Sequence, residues 1–343
     1  MRCSQRRLLF AAATLSATSV VVGCREPARP LPSGELTEAI RHVDAAFPEA
    51  GRIWADVEHL DKVPSTFEGT LLNPIRIKAA NDGLLLLDKG DASVLRYSPD
   101  GTLLSRIGGR VGEGPGELQF LQDIDAGSAD VVVLDSRTRL IHRFSTAGRF
   151  LNRFDSGVLG LRIVDLDSAV VILDVSRPQP LIVLDTLGRV SRRFGSEISN
   201  KNRDPILSDG EIVRAGDGVV YLSRYYNRGL WIRLDGRVDS LRLKSGVDES
   251  ELPRAPDYLR SGEWQTSESI LMDAAVDSLI LYCHVRLMGP SLRASVIDTY
   301  DLSTLEYVRS VLLDEPFRSA TVLGNRIYAI QDATVVSYEF DVP

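Results

Sequence analysis

Short apolar runs recur along this chain with a period of forty-odd residues, each bounded by a polar turn. One period holds an apolar strand, an Asp-containing turn, a second apolar strand, a turn ending in Gly, and a strand that closes on an aliphatic or aromatic residue. It is plainest in Leu84–Ile107, Val131–Phe154 and Val170–Phe194. Runs of this length between turn residues read as strands. Four strands per period predict an all-β fold, a β-propeller whose four-stranded blades stack face to face.

The glycines set the register. Gly101, Gly148, Gly188 and Gly236 end the turns SPDG, STAG, DTLG and RLDG and stand 47, 40 and 48 positions apart. Asp88, Asp135 and Asp174 recur at the turn between the second and third strands, where a carboxylate accepts from nearby backbone amides. This register predicts six blades: Asn73–Ile107, Gln122–Phe154, Leu161–Phe194, Glu211–Leu243, Ser269–Leu313, and a sixth from Ser319 that stops one strand short. Arg52–Leu60 alternates Ile53, Ala55 and Val57 with polar neighbours, so it is expected to add the missing outer strand and close the ring.

The N-terminal region reads differently. Arg2, Arg6 and Arg7 precede an uncharged stretch from Leu8 to Val22, too short for a spanning helix and built like a secretory signal. The signal ends in Val21-Val22-Gly23-Cys24, which resembles a bacterial lipobox and implies an acylated Cys24 after residues 1–23 are removed. Arg6-Arg7 also permits twin-arginine export, although the rest of that motif is imperfect and the general route is favoured. Arg25 stands where an Asp would suggest inner-membrane retention, so an outer-membrane anchor is expected. Pro27, Pro30 and Pro32 make an extended tether, and Leu36–Phe47 has helical spacing that predicts a short helix capping one end of the ring. The expected division is therefore 1–23 signal, 24–51 lipidated tether with the helix, and 52–343 propeller.

Charge and cysteine usage narrow the function. The formal charge is −7, and removal of the signal arginines takes it to −10, the wrong sign for general nucleic-acid binding. Membrane attachment is left to the lipid. Loss of Cys3 with the signal leaves Cys24 and Cys283, so no intramolecular disulfide is expected. A monomer stabilised by its core is the expectation.

The segment Gly108–Phe120, GGRVGEGPGELQF, is more specific than the period. Its Gly-Pro-Gly-Glu-Leu step, with the Asp and Gly pattern around it, resembles the blade-to-blade linker of NHL repeats and related TolB-like six-bladed propellers, bacterial lipoproteins among them. The resemblance runs from about Arg52 to the C-terminus and weakens in the later blades, where Ser223 replaces the repeat Asp. It implies the fold and leaves activity open, since the family includes protein- and RNA-binding scaffolds as well as metal-dependent lactonases and lyases.

No catalytic constellation is legible. His42, His59, His142 and His284 lack metal-type spacing, and there is no Gly-x-Ser-x-Gly elbow. Cys283 and His284 are neighbours in a predicted strand, so their side chains point to opposite faces and form no dyad. Asp123 and Asp125, then Asp165 and Asp167, fall on predicted inner strands. Asp125 and Asp165 have the oxygen donors that Ca²⁺ takes, the basis of an alternative reading as a Ca²⁺-dependent lactonase or lyase with a central-channel site.

The links between blades are long, the hairpin turns at the opposite edge short, and long loops on a rigid scaffold are where binding sites reside. The long-loop face is expected to carry Arg110, Lys201, Arg203, Tyr225, Tyr226, Arg228, Trp264 and Arg286, residue types that anchor interfaces. The sequence therefore predicts a lipid-anchored, non-catalytic module of the cell envelope that binds a protein or small ligand through that face, without a cofactor.

Overall fold

The computed structural model describes residues 33–55, 62–63, 67–80, 83–198, 208–246, 268–288, 293–313 and 315–340. All lie within a unit spanning Leu31–Pro343, and Cys24, Lys201, Arg203 and Trp264 fall outside the described residues. Six antiparallel sheets of four strands each form the blades of a propeller. The inner strands are Pro74–Ala80, Leu121–Ala126, Arg162–Asp165, Gly210–Ala215, Glu268–Asp277 and Ala320–Leu323; each touches the next, and the last returns to the first.

The core is divided in the same way. Six apolar clusters form, one between each pair of neighbouring blades. A second strand is thus covered on both faces, which is why Gly83–Asp88 reads GLLLLD and is buried throughout. Outer strands meet water, and Phe150–Asp155 (FLNRFD) and Val190–Phe194 (VSRRF) are largely exposed and polar. The hairpin glycines answer to sterics: Gly148 has φ +85°, and a Cβ there would stand 2.6 Å from the Arg106 carbonyl oxygen of the preceding blade.

Ring closure differs in detail from the sequence expectation. Lys62–Val63 completes the sixth blade, pairing antiparallel with Tyr338 and Ser337. The expected segment docks one blade earlier instead, where Trp54 bridges Ser310 in parallel and Arg52, buried, donates through Nε to Asp298 Oδ1 at 3.0 Å. Arg52 and Asp298 are each other's neutralising partner, so the register that buries Arg52 outcompetes a simple alternating strand; residues 56–60 lie outside the described residues.

A helix, α1, spans Ser33–Ala46 and buries Val43 against the cluster shared by the fourth and fifth blades. Trp54 Nε1 donates to Asp44 Oδ1 at 3.0 Å, which ties α1 to the outer edge of the fifth blade rather than to an end of the ring.

The repeat aspartates do more than shape their own turns. Asp88 accepts from Leu72 N and Asn73 N, both at 2.7 Å, as well as from Gly90 N at 2.8 Å. Asp135 likewise accepts from Gln119 N at 2.7 Å and Phe120 N at 3.1 Å. Each buried carboxylate staples an incoming link to the second-to-third-strand turn, holding the long-loop face in register. In the fourth blade, where Ser223 takes this position, the link residue Asp209 instead accepts from the turn residue Arg224 at 2.8 Å.

Candidate functional site

Charged residues on the inner strands close the central channel. The first, second and fifth blades each break register at the same place, between Pro74 and Arg76, Leu121 and Asp123, and Leu271 and Asp273. Such an irregularity re-aims the residue that follows it. Arg76, Asp123 and Asp273 meet in the channel as a result. Arg76 donates to Glu211 Oε2 at 2.7 Å and to Asp273 Oδ1 at 3.2 Å. Its Nε stands 2.9 Å from Asp123 Oδ1 at an angle too poor for a hydrogen bond, leaving that contact Coulombic.

Glu211 is the counterpart of Arg76 and also receives Arg162 and Arg224 through its carboxylate oxygens at 2.8 and 2.9 Å. Burial alone would raise its pKa; Arg162, Arg76 and Arg224 overcome that and hold the carboxyl down at about 2. Burial raises Asp273, against the pull of Arg76.

Toward the opposite face, Lys78 Nζ lies 3.5 Å from Asp123 and 3.9 Å from Asp125. Asp125 accepts from Asp165 N at 2.8 Å, and Asp165 lies 3.2 Å from Arg143. Burial raises Asp165 to about 6 despite Arg143, and Asp130 reinforces the rise. Their oxygens are thus occupied by amides and by protein cations. Ca²⁺ would have to displace Lys78 or Arg143, so this donor set does not suit the ion, and among the described residues no cluster of His, Cys, Asp and Glu has metal-site geometry.

The channel mouth on the long-loop face is different. Lys89 and Arg224 occupy equivalent turn positions in the first and fourth blades, each amide donating to the incoming link, at Asn73 O and Asp209 O. In a six-bladed ring those blades stand opposite one another. Arg162 starts its inner strand at this rim, and Arg318 lies on the link into the sixth blade, donating to Asn73 Oδ1 at 2.7 Å. Arg286 donates through Nη2 to Phe317 O at 2.6 Å, while its buried Nε has no hydrogen-bond partner. Partial burial and the charges of Arg162 and Arg76 lower the Lys89 ammonium; burial and Arg318 act the same way on Arg286.

The fifth blade stands taller than the others at this mouth. Asp273 pairs with His284, and its second strand continues four residues further, to Met288; Arg76 pairs with Leu87, one residue from the strand end at Asp88. The extra three residues amount to about 10 Å of wall.

The remaining sequence-derived positions separate. Arg110 is exposed on the first link, and Tyr225 and Arg228 are half-buried in the fourth-blade turn. Tyr226 is buried at 7% exposure, so it packs within the blade rather than presenting an interface anchor. The sequence reading passed over Arg76, Lys78, Arg162, Glu211 and Asp273. Their signal was present: charges inside mostly apolar strands, two each in PIRIKAA, LRIVD and GEIVRA and one in ILMDAA.

Other reactive side chains are sequestered. Cys283 is buried and free, its thiol pushed well up by burial. His284 shares a hydrogen bond with Ser295 Oγ at 3.0 Å, and His142 is buried with neither ring nitrogen paired.

No family model matches this sequence, and no curated protein matches it either. Solved structures match its fold. A Bacteroides fragilis protein described as exported superposes with a TM-score of 0.59 at 14% identity, over 83% of this chain and 96% of that one. A DUF4221 family member from Bacteroides vulgatus gives 0.55 at 10% identity, over 83% and 99%. Both likenesses are of fold alone.

Proposed function

We propose that this chain is a lipid-anchored, non-catalytic binding module of the bacterial cell envelope, held at the outer membrane through Cys24, and that it engages a protein partner through its long-loop face. The observation that carries this is the set of large apolar side chains exposed on three consecutive links of that face: Leu72 at 59%, Val111 at 74%, Phe120 at 40% and Leu159 at 62%. Exposed apolar side chains set among polar and basic ones are the composition of an interaction surface. Arg137 stacks over Phe120 at 4.3 Å, which adds an Arg-aromatic pair to the face.

Other features support the parts of this reading. The channel carboxylates are neutralised by Arg76, Lys78, Arg143 and Arg162, and Cys283 and His284 are buried, which favours binding over catalysis. The Asp88 and Asp135 staples and the Gly108–Phe120 link favour an NHL-type, TolB-like repeat. The exported structural neighbour and the lipobox-like Val21–Cys24 favour the envelope.

Site-directed photo-crosslinking in the producing cell tests the face. A crosslinker at Val111 should trap a discrete adduct, and one at Leu187, in a hairpin turn of the opposite face, should not. Equal trapping at both sites, or adducts from Leu187 only, would place the interface elsewhere.

A further inference from the structure

The chemistry of the partner can be taken one step further, on the premise that the long-loop face is the binding face. Within the channel, Arg76, Arg162 and Arg224 are balanced by Glu211, Asp209, Asp123 and Asp273. The rim adds Lys89, Arg286 and Arg318, and among the described residues none of these has a carboxylate partner. Arg286 and Arg318 spend part of their donor capacity on neutral oxygens, of Phe317, Asn73 and Pro74. Among the described residues these cations form no ion pair at the mouth of a protein whose formal charge is −7; the nearby Asp88 carboxylate offsets part of their charge but is buried and spent on the amides of Leu72, Asn73 and Gly90. An excess of one sign confined to a concave, low-dielectric mouth attracts the opposite sign.

Apolar surface adjoins those charges. A Cβ on Gly90 would lie 2.3 Å from Leu72 Cβ, so Leu72 sits against the Lys89-Gly90 turn, and Asn73, the next residue, is the one Arg318 holds. The surface thus runs from Arg318, which holds Asn73, through the adjoining Leu72 to the Lys89-Gly90 turn, with Phe120 and Arg137 on the following blade. The taller fifth blade walls one side. A ligand that met only the charges would leave Leu72, Phe120 and Val111 in water, whereas a peptide alternating acidic and apolar side chains meets both.

We propose that the mouth of the central channel receives an acidic segment of a partner protein, its carboxylates set against Lys89, Arg286 and Arg318 and its apolar side chains against Leu72 and Phe120.

The test uses the full chain, purified in detergent, and fluorescence anisotropy of labelled synthetic peptides that alternate Glu with Leu, Gln with Leu, or Glu with Ser. The Glu-Leu peptide should bind most tightly, weaken as salt rises, and lose at least about fivefold in affinity in each of the variants Lys89→Gln and Arg286→Gln. Arg237→Gln, in a hairpin turn of the opposite face, should bind as the parent does, and matching thermal unfolding curves would show that all three variants fold. Equal affinity for the Gln-Leu peptide, or unchanged affinity in both rim variants, would overturn the inference. So would citrate or inorganic phosphate displacing the Glu-Leu peptide and binding as tightly by itself, which would make the mouth a small-anion site. Crosslinking at Val111 decides the face separately: an adduct there together with failure of the Glu-Leu peptide removes the acidic segment and leaves the binding face standing.

Discussion

Arg76 and Glu211 stand 135 positions apart, on inner strands of the first and fourth blades, and meet across the channel with Nη2 2.7 Å from Oε2. In a six-bladed ring these blades are opposite, so one ion pair spans the axis that the interblade clusters leave open. Together with Arg76–Asp273, which joins the first blade to the fifth, it links units whose strands pack against their immediate neighbours.

Removing that arginine leaves Glu211, Asp273 and Asp123 buried without their shared cation. Arg76→Met should lower stability to urea by about 3–5 kcal/mol, the usual cost of breaking a buried pair from one side. Combining it with Glu211→Gln should cost less than the sum of the single changes by at least about 1 kcal/mol. A loss below about 1 kcal/mol for Arg76→Met would show that water replaces the guanidinium at little cost.

Acid should destabilise the fold through its two buried histidines. Burial lowers His142 from 6.5 to about 4 and His284 from 6.5 to about 3. Between those values and 6.5 the unfolded chain binds protons that the folded one does not, so stability falls as pH falls through that window. Asp165 opposes this: its folded value near 6 lies above 3.8, so from pH 6 to 3.8 the folded state holds the extra proton and acid favours it. Burial raises Asp125 and Asp273 as well, in the same direction as Asp165, while Glu211, held at about 2, acts with the histidines; the two histidine displacements together exceed that of Asp165. The melting temperature should therefore drop from pH 6.5 to pH 4, less steeply in His142→Gln/His284→Gln and more steeply in Asp165→Asn. A flat profile in the parent protein would contradict the burial of both rings.

Closure of the ring rests on Lys62–Val63. Proline at both positions removes the amides that can pair with the Thr334–Glu339 strand and exposes that edge. The double variant should be cut faster in limited proteolysis and should associate at high concentration on size-exclusion chromatography. Unchanged behaviour in both assays would mean that the interblade packing closes the ring without this strand.

Calcium should leave the melting temperature where chelator leaves it. A ligand that binds only the folded state raises that temperature, and Lys78 and Arg143 already neutralise Asp125 and Asp165. A rise of several degrees in Ca²⁺, abolished by Asp125→Ala and Asp165→Ala, would restore the metal-dependent alternative.

Lipidation is read at Cys24. In a bacterial host Cys24→Ser should abolish labelling by a radioactive fatty acid and move the protein from the membrane to the soluble fraction. Labelling that persists in the variant would refute Cys24 as the acylation site.

Local pattern determined the blades. A hairpin needs only neighbouring residues, so the runs GLLLLD and DVVVLD and the turn glycines Gly101, Gly148, Gly188 and Gly236 located the strands to within one or two residues of where they lie. The aspartates Asp88 and Asp135 were legible as turn formers for the same reason. Their second role, holding Leu72 and Gln119 on the incoming links, was visible only once the links lay beside the turns.

What only the tertiary structure decided is what crosses the ring. Alternation in Arg52–Leu60 marked an edge strand but carried no address: the buried Arg52–Asp298 pair, 246 positions apart, placed its start on the fifth blade and left Lys62–Val63 to close the sixth. Likewise Arg76, Arg162, Glu211 and Asp273 are charges in separate, mostly apolar strands, each costly to bury on its own. They become one neutralised network only because six sheets bring their inner strands to a common axis, and sequence spacing has no term for that convergence.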